Sequence, residues 1–252
     1  MNLNISHSAD FSPDVLKRNY KQIMKMCEMA DVNLQWEVYQ RLLDRNNPDF
    51  VMAEVGCGNG NAIEQGTRSV KMTAAGMGGK MVRGIGVDIN PLSKIDEDIL
   101  EMGGFHGLQA EFRKGDARDL PIRNNEVDIL FSSNTLYIVS NALRALEDAY
   151  RVLKPGGKAV FHVLKEEISQ VPGLDAILDS TPNARQIFKY VEKKVDGDRF
   201  GFIIVDKDPN VQFEGFQYEI DENPEVEPLN RIIAGRIYKA VGNDVFKKEN
   251  LI

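Results

Sequence analysis

Cysteine is nearly missing from these 252 residues: Cys27 and Cys57 are the whole supply. Two are too few for a disulfide framework or a structural zinc site, so both read as reduced thiols. Histidine is scarce as well, with three in the chain, and no His, Asp and Glu recur at metal-ligand spacing, so metal dependence finds no support. Basic charge runs short. The 31 Lys and Arg face 38 Asp and Glu for a net charge of −7, which leaves no overall positive field to hold a polyanion. Arg113, Lys114, Arg118 and Arg123 alternate with Glu111, Asp116 and Asp119, so no basic stripe forms and no nucleic-acid partner is expected. No stretch approaches the roughly 20 apolar residues of a membrane span, and MNLNISHSADF at the start has neither the basic nor the apolar region of a secretion signal. A cytoplasmic protein with no membrane partner is the expectation.

What is present is an ordinary globular composition, 42% apolar and 27% charged, able to build one substantial core. Ser12 and Pro13 open a helix, with Val15, Leu16, Tyr20, Ile23, Met24 and Cys27 at helical spacing behind them. A second amphipathic helix runs through Leu34, Val38, Leu42 and Leu43. From residue 50 short apolar runs alternate with helical stretches: FVMAEV at 50–55, IGVDI at 85–89, LQAEFRKGD at 108–116, VDILFSS at 127–133 and KAVFHVL at 158–164. That alternation indicates a parallel sheet covered on both faces. Beyond it the pattern predicts a helix over 176–193, two strands antiparallel to each other at 200–206 and 211–220, and a last helix over 229–241. The expected organisation is a helical cover at 1–48 and an α/β domain at 49–252.

The first apolar run leads into EVGCGNG at 54–60, a glycine-rich turn between strand and helix. Such a turn brings a ligand against the backbone and the positive end of a helix. Asn61 and Ala62 follow Gly60 in place of the Lys-Ser/Thr of a phosphate loop, and Asn61 stands where a dinucleotide G-x-G-x-x-G needs glycine. What remains is Glu-x-Gly-x-Gly-x-Gly with an acid, Asp88, ending the second strand, where a carboxylate can accept both hydroxyls of a ribose. The plainer alternatives are a tight turn, a solvated strand end at Asp88, and Cys57 as a small packing residue.

EVGCGNG, GVDIN, GDARDLPI, EVDILFSSNTLYIV and ALEDAYRVLKPGGKAVF, in this order, resemble the successive motifs of class I S-adenosylmethionine-dependent methyltransferases, and most of all the methyltransferase type 11 group. The resemblance covers about residues 50 to 165. It implies a Rossmann-like seven-stranded sheet in order 3-2-1-4-5-7-6, strand 7 antiparallel, with helices on both faces and S-adenosyl-L-methionine as cofactor. It also implies Gly56, Gly58 and Gly60 under the methionine end of the cofactor, beside Glu54. Asp88 would hold the ribose and Ile89 would lie against adenine. Asp116 would accept from the adenine amino group, with Ala117 donating its backbone N–H, and Ser132 and Ser133 would meet the methionine end and the acceptor. One departure stands out: Gly60 and Asp88 are 88 − 60 = 28 positions apart, longer than the family's usual spacing, the excess falling in VKMTAAGMGGKM. It reads as a longer helix and a glycine-rich loop.

Methyl transfer needs alignment more than acid or base, but a hydroxyl or protonated amine acceptor must lose a proton. Tyr137 and His162 are the candidate bases. Tyr137 stands where relatives often carry His or Glu, and His162, toward the end of the fifth strand, reads first as a core histidine and second as a site residue. Ser132, Ser133, Asn134 and Thr135 replace the Asn-Pro-Pro-Tyr type of motif of nucleic-acid and protein-glutamine methyltransferases. The expectation is therefore a small-molecule acceptor. An RNA or protein methyltransferase, a non-catalytic S-adenosylmethionine-binding regulator and a nicotinamide oxidoreductase stay as alternatives.

Overall fold

The computed structural model describes residues 20–89, 109–133, 135, 136, 139, 142–164, 178–195 and 198–216. Seven strands form one sheet in the order β3-β2-β1-β4-β5-β7-β6: β1 (Asp49–Val55), β2 (Met81–Asp88), β3 (Ala110–Lys114), β4 (Val127–Ser133), β5 (Leu153–Leu164), β6 (Phe188–Val195) and β7 (Asp198–Asp206). β1 through β5 pair in parallel, and β7 runs antiparallel to both β5 and β6. That is the expected order and the expected antiparallel strand.

The central strands are mostly apolar because both of their faces are covered, and every residue of β4 is buried, Asp128, Ser132 and Ser133 included. On one face lie α1 (Tyr20–Met29), α2 (Leu34–Leu43) and α3 (Asn61–Gly76). Tyr20, Ile23, Cys27, Leu34, Val38 and Leu42 from the first two helices share one core with Phe50, Met52, Phe131 and Phe202. Asn33 caps α2, its side chain accepting from Trp36 N at 3.0 Å. The other face is covered by α4 (Ala142–Val152), which buries Leu143, Leu146, Ala149 and Val152, and by the short α5 (Ala184–Ile187). Burying each Leu or Val side chain of this kind contributes roughly 1.5–3 kcal/mol.

The C-terminal hairpin is not where the sequence pattern puts it. The stretch 176–193, expected as helix, ends its last short helix at Ile187 and continues as β6. β6 pairs with β7 from Phe188↔Val205 to Val195↔Asp198. Lysines 189, 193 and 194 on this outermost strand have the spacing of an amphipathic helix, yet they serve as the charges that discourage a sheet edge from pairing further. Residues 211–216, expected as strand, are irregular. Gly215 has φ +118, outside strand geometry, and Phe213 and Phe216 pack against Phe188, edge-on and tilted respectively, over the α4 face instead of extending the sheet. The expected strand residues 217–220 and the expected helix at 229–241 lie outside the described residues, as do residues 1–19 of the N-terminal segment.

Candidate functional site

Four strand ends meet at the carboxyl edge of the sheet. The chain leaves β1 at Val55 and turns through Gly56 (φ +71), Gly58 (φ +56) and Gly60 (φ +79) into α3. The turn leans on the end of β2: Gly56 N and Cys57 N both donate to Val87 O, at 2.8 and 3.1 Å. Gly58 N donates to Asp88 Oδ2 at 3.0 Å. The 28-residue spacing therefore does not displace Asp88; α3 takes up residues as far as Gly76, and β2 begins at Met81. Gly60 occupies the N-cap of α3 and has no side chain to offer, so the buried Glu54 of β1 supplies the acceptor, taking Ile63 N at 3.1 Å.

The three glycines are small for different reasons. A Cβ on Gly56 would fall 1.9 Å from Thr135 Oγ1, and one on Gly60 would fall 2.4 Å from the Phe112 ring. Those two are accounted for by the protein's own packing. A Cβ on Gly58 would meet nothing within 4 Å. Here the left-handed backbone faces open space, with an N–H beside it already pinned by a carboxylate.

β3 brings a third contribution. Gly115 N donates to Asp88 O at 3.0 Å, which sets the following loop beside the ribose candidate. Within that loop Asp116 Oδ1 accepts Arg118 N at 2.9 Å and Nε at 3.0 Å, and the guanidinium also pairs with Oδ2. The Arg118 hydrogen bonds hold the Asp116 carboxyl below its usual range, so it stays an acceptor at neutral pH. Ala117 is half-buried against the core, and Ile89 is 63% exposed.

From β4, Ser132 is buried and its hydroxyl donates to Val55 O at 2.8 Å, tying the strand end to the glycine turn. Ser133 is buried and registers with His162 across β4 and β5. His162 is half-buried on the α1–α3 face, its ring 6.1 Å from that of Phe200 and 5.4 Å from that of Phe202. Since neighbouring strands lie about 4.8 Å apart, His162 stands two strands, roughly 10 Å, from the β1 end. Tyr137 lies outside the described residues. Among the described residues no three His, Cys, Asp or Glu side chains group as metal ligands, and no helix is long and apolar enough to cross a membrane.

Sequence reasoning missed several supporting groups. Phe112 fills the space beneath Gly60 and Gly86, and Thr135 that beneath Gly56; nothing in a single sequence marks either. Arg118 follows Asp116 by two positions in a turn-forming stretch, which is a readable signal for a local Asp–backbone turn.

A family model described as "Methyltransferase domain" matches residues 53–161. The chain is similar to a Nitrobacter hamburgensis protein named ubiquinone/menaquinone biosynthesis C-methyltransferase UbiE, 27% identical over 70% of this chain and 62% of that one. It is also 27% identical to a malonyl-[acyl-carrier protein] O-methyltransferase of a Marinomonas strain, over 67% of this chain and 68% of that one. The chain thus spans less than two thirds of the length of the first of these relatives. A solved S-adenosylmethionine-dependent methyltransferase from Aquifex aeolicus superposes over 75% of this chain and all of that one, at 20% identity and a TM-score of 0.41.

Proposed function

The chain belongs to the class I S-adenosylmethionine-dependent methyltransferases, and from that premise we propose that it transfers a methyl group to a hydroxyl or amine of a small molecule. The observation that carries the cofactor site is Gly58, whose left-handed backbone opens on free space while its N–H is fixed on Asp88 at 3.0 Å. Gly56, Gly58, Gly60 and Glu54 would hold the methionine end, Asp88 the ribose, Ile89, Asp116 and Ala117 the adenine, and Ser132 and Ser133 the side facing the acceptor. S-adenosylmethionine supplies an electrophilic methyl group on a sulfonium. The protein's part is alignment, worth up to about 7–11 kcal/mol of the barrier. With the thioether as leaving group, methylation of an oxygen or nitrogen would leave a proton on the acceptor for a residue of this chain to take. His162 is our candidate to take it, being half-buried on a strand end in register with Ser133, and Tyr137 is the second.

A small acceptor is favoured by the alternating charges around the site. Arg113 and Arg118 are already paired, with Glu111 and Asp116, so they add little attraction for a phosphate backbone. The name of the first relative, a ubiquinone/menaquinone biosynthesis C-methyltransferase, also points to metabolite chemistry, while that of the second names an acyl group on a carrier protein. The first 48 residues serve in this reading as a helical cover beside the domain of residues 49–252. The support is Tyr20, the first residue of α1, which lies against Gly66 of α3.

S-adenosylhomocysteine is expected to bind and raise the melting temperature, as any ligand selective for the folded state does. Asp88→Ala should weaken that binding by about 1–3 kcal/mol, the scale of hydrogen bonds to a charged group. Asp88→Asn keeps an acceptor for Gly58 N and should lose less. Calorimetry showing equal affinity in all three proteins would remove the ribose assignment. The acceptor class is tested with methyl-labelled cofactor and extracts fractionated into metabolites, RNA and protein. Label in the metabolite fraction is expected; label in RNA or protein would replace the small-molecule reading.

A further inference from the structure

The loop that carries Asp116 and Ala117 is fixed at both ends, and the far end is fixed by side chains that touch no ligand in the reading above. Its near end is the backbone bond from Gly115 N to Asp88 O at 3.0 Å. Its far end is held from α4. Asp148, 2% exposed, accepts Leu120 N at 2.6 Å through Oδ2. The same carboxylate takes Arg151 Nε at 2.7 Å and a terminal guanidinium nitrogen at 2.9 Å. Arg151 then spends its remaining donors on the loop: Leu120 O at 3.0 Å, Ile122 O at 2.9 Å and Asn124 Oδ1 at 2.7 Å. A planar guanidinium can present five N–H groups in fixed directions, and here five contacts are made, three of them to loop atoms. Leu120 and Ile122 are buried against the same helix face, so both side chains and main chain of this stretch are immobilised.

Between these anchors lie only residues 116–119, and one backbone bond, Asp119 N to Asp116 O at 3.1 Å, closes them into a turn. The position of the Asp116 carboxylate and of the Ala117 N–H relative to Asp88 is therefore set from α4. We propose that Asp148 and Arg151 are positioning residues for recognition of the adenine base: they hold the loop where Asp116 can accept from the 6-amino group and Ala117 can donate to the ring. This rests on the cofactor site described above. It adds that the base is selected by a clamp built on the helix of the opposite sheet face, beyond the reach of the ligand.

Base selectivity separates positioning from simple support of the fold. S-adenosylhomocysteine and S-inosylhomocysteine differ by an oxo group in place of the 6-amino group, so an acceptor carboxylate favours the first. The wild-type protein is expected to prefer the adenosyl compound by roughly tenfold or more in calorimetric Kd, the worth of one charged hydrogen bond. Asp148→Asn sets an amide NH2 against the guanidinium and should reduce that preference to about threefold or less; Arg151→Lys, which keeps the charge but loses the planar fork, should do the same and serves if the first variant does not fold. A ratio as large as wild type in a folded variant, whatever happens to its melting temperature, overturns the clamp. A wild-type protein that binds both compounds equally removes the adenine role of Asp116 and the clamp with it. Binding of neither compound means that the cofactor site itself is misplaced.

Discussion

Lys154→Met is expected to lower the unfolding free energy by about 3–5 kcal/mol, the cost of stripping one partner from a buried charge pair. Lys154 Nζ sits 2.7 Å from Asp128 Oδ2, 3.2 Å from Asp49 Oδ1, 2.8 Å from Asn47 Oδ1 and 3.0 Å from Asp49 O. Asp128 has no exposed surface, and its carboxylate also accepts Val51 N at 2.8 Å and Asn47 Nδ2 at 2.6 Å. Without the lysine a carboxylate remains in the interior with neutral donors only. The amino ends of β1, β4 and β5 are joined by this cluster, so the loss should be global. Against a total of about 5–15 kcal/mol for a domain, urea denaturation should show a much lower midpoint with an unchanged slope. Asp128→Asn/Lys154→Met removes both charges and should be less destabilised than the sum of the two single variants. A loss below about 1 kcal/mol for Lys154→Met would show that the charge on Asp128 is already satisfied by its neutral donors.

The same end of the sheet gives the direction of the pH dependence. Burial works against ionisation of Asp49, but the Lys154 and Arg83 cations outweigh it and hold its carboxyl below the usual range. At the opposite, carboxyl edge Arg118 does the same for Asp116 through hydrogen bonds. A carboxylate with a depressed folded pKa contributes stability above its unfolded value, and that contribution is lost as the pH falls through the folded one. Thermal stability is therefore expected to fall on the acid side of the ordinary aspartate range, and less steeply in Lys154→Met, which has already lost part of the linkage.

Much of this architecture is legible in the sequence because β1, β2, β4 and β5 are apolar runs with nowhere to go but a covered parallel sheet. The hairpin is where legibility fails. Lys189, Lys193 and Lys194 beside Val191 mimic a helix face, whereas Asp196-Gly197, the dipeptide that links β6 to β7 by two residues, was the stronger signal. Val211 with Phe213 and Phe216 with Tyr218 each have the period-2 spacing of a strand, but the burial of Phe213 and Phe216 is decided by the Phe188 and Tyr150 rings of distant elements, which no local pattern contains. In the site, Gly58, Asp88 and Asp116 are readable because a turn, a strand end and an acid must recur in order. Asp148 and Arg151 are not, since a buried acid three residues before an arginine on a helix looks like a solvated ion pair until the loop against it is seen.

Gly58→Ala is expected to abolish tight cofactor binding while leaving a folded protein, and it separates a ligand site from a tight turn. An alanine at φ +56 carries a left-handed backbone cost of about 1–2 kcal/mol, but its methyl meets no protein atom within 4 Å. The melting temperature should fall by a few degrees, as roughly 1 kcal/mol implies for a domain of this size. If the open space is where the cofactor lies, the methyl overpacks it, and S-adenosylhomocysteine should bind about 5- to 150-fold more weakly, as 1–3 kcal/mol of overpacking implies. Gly79→Ala is the control. Gly79 has φ +78 with nothing within 4 Å of an added Cβ, yet it lies in the loop before β2, at the opposite end of that strand from Asp88. It should show the backbone cost with affinity unchanged. Gly56→Ala and Gly60→Ala are poorer tests, since their methyls would strike Thr135 and Phe112 and perturb the fold whether or not a ligand binds there. Wild-type affinity in Gly58→Ala, with its stability lowered like that of Gly79→Ala, would reduce EVGCGNG to a turn and move the cofactor elsewhere along the carboxyl edge.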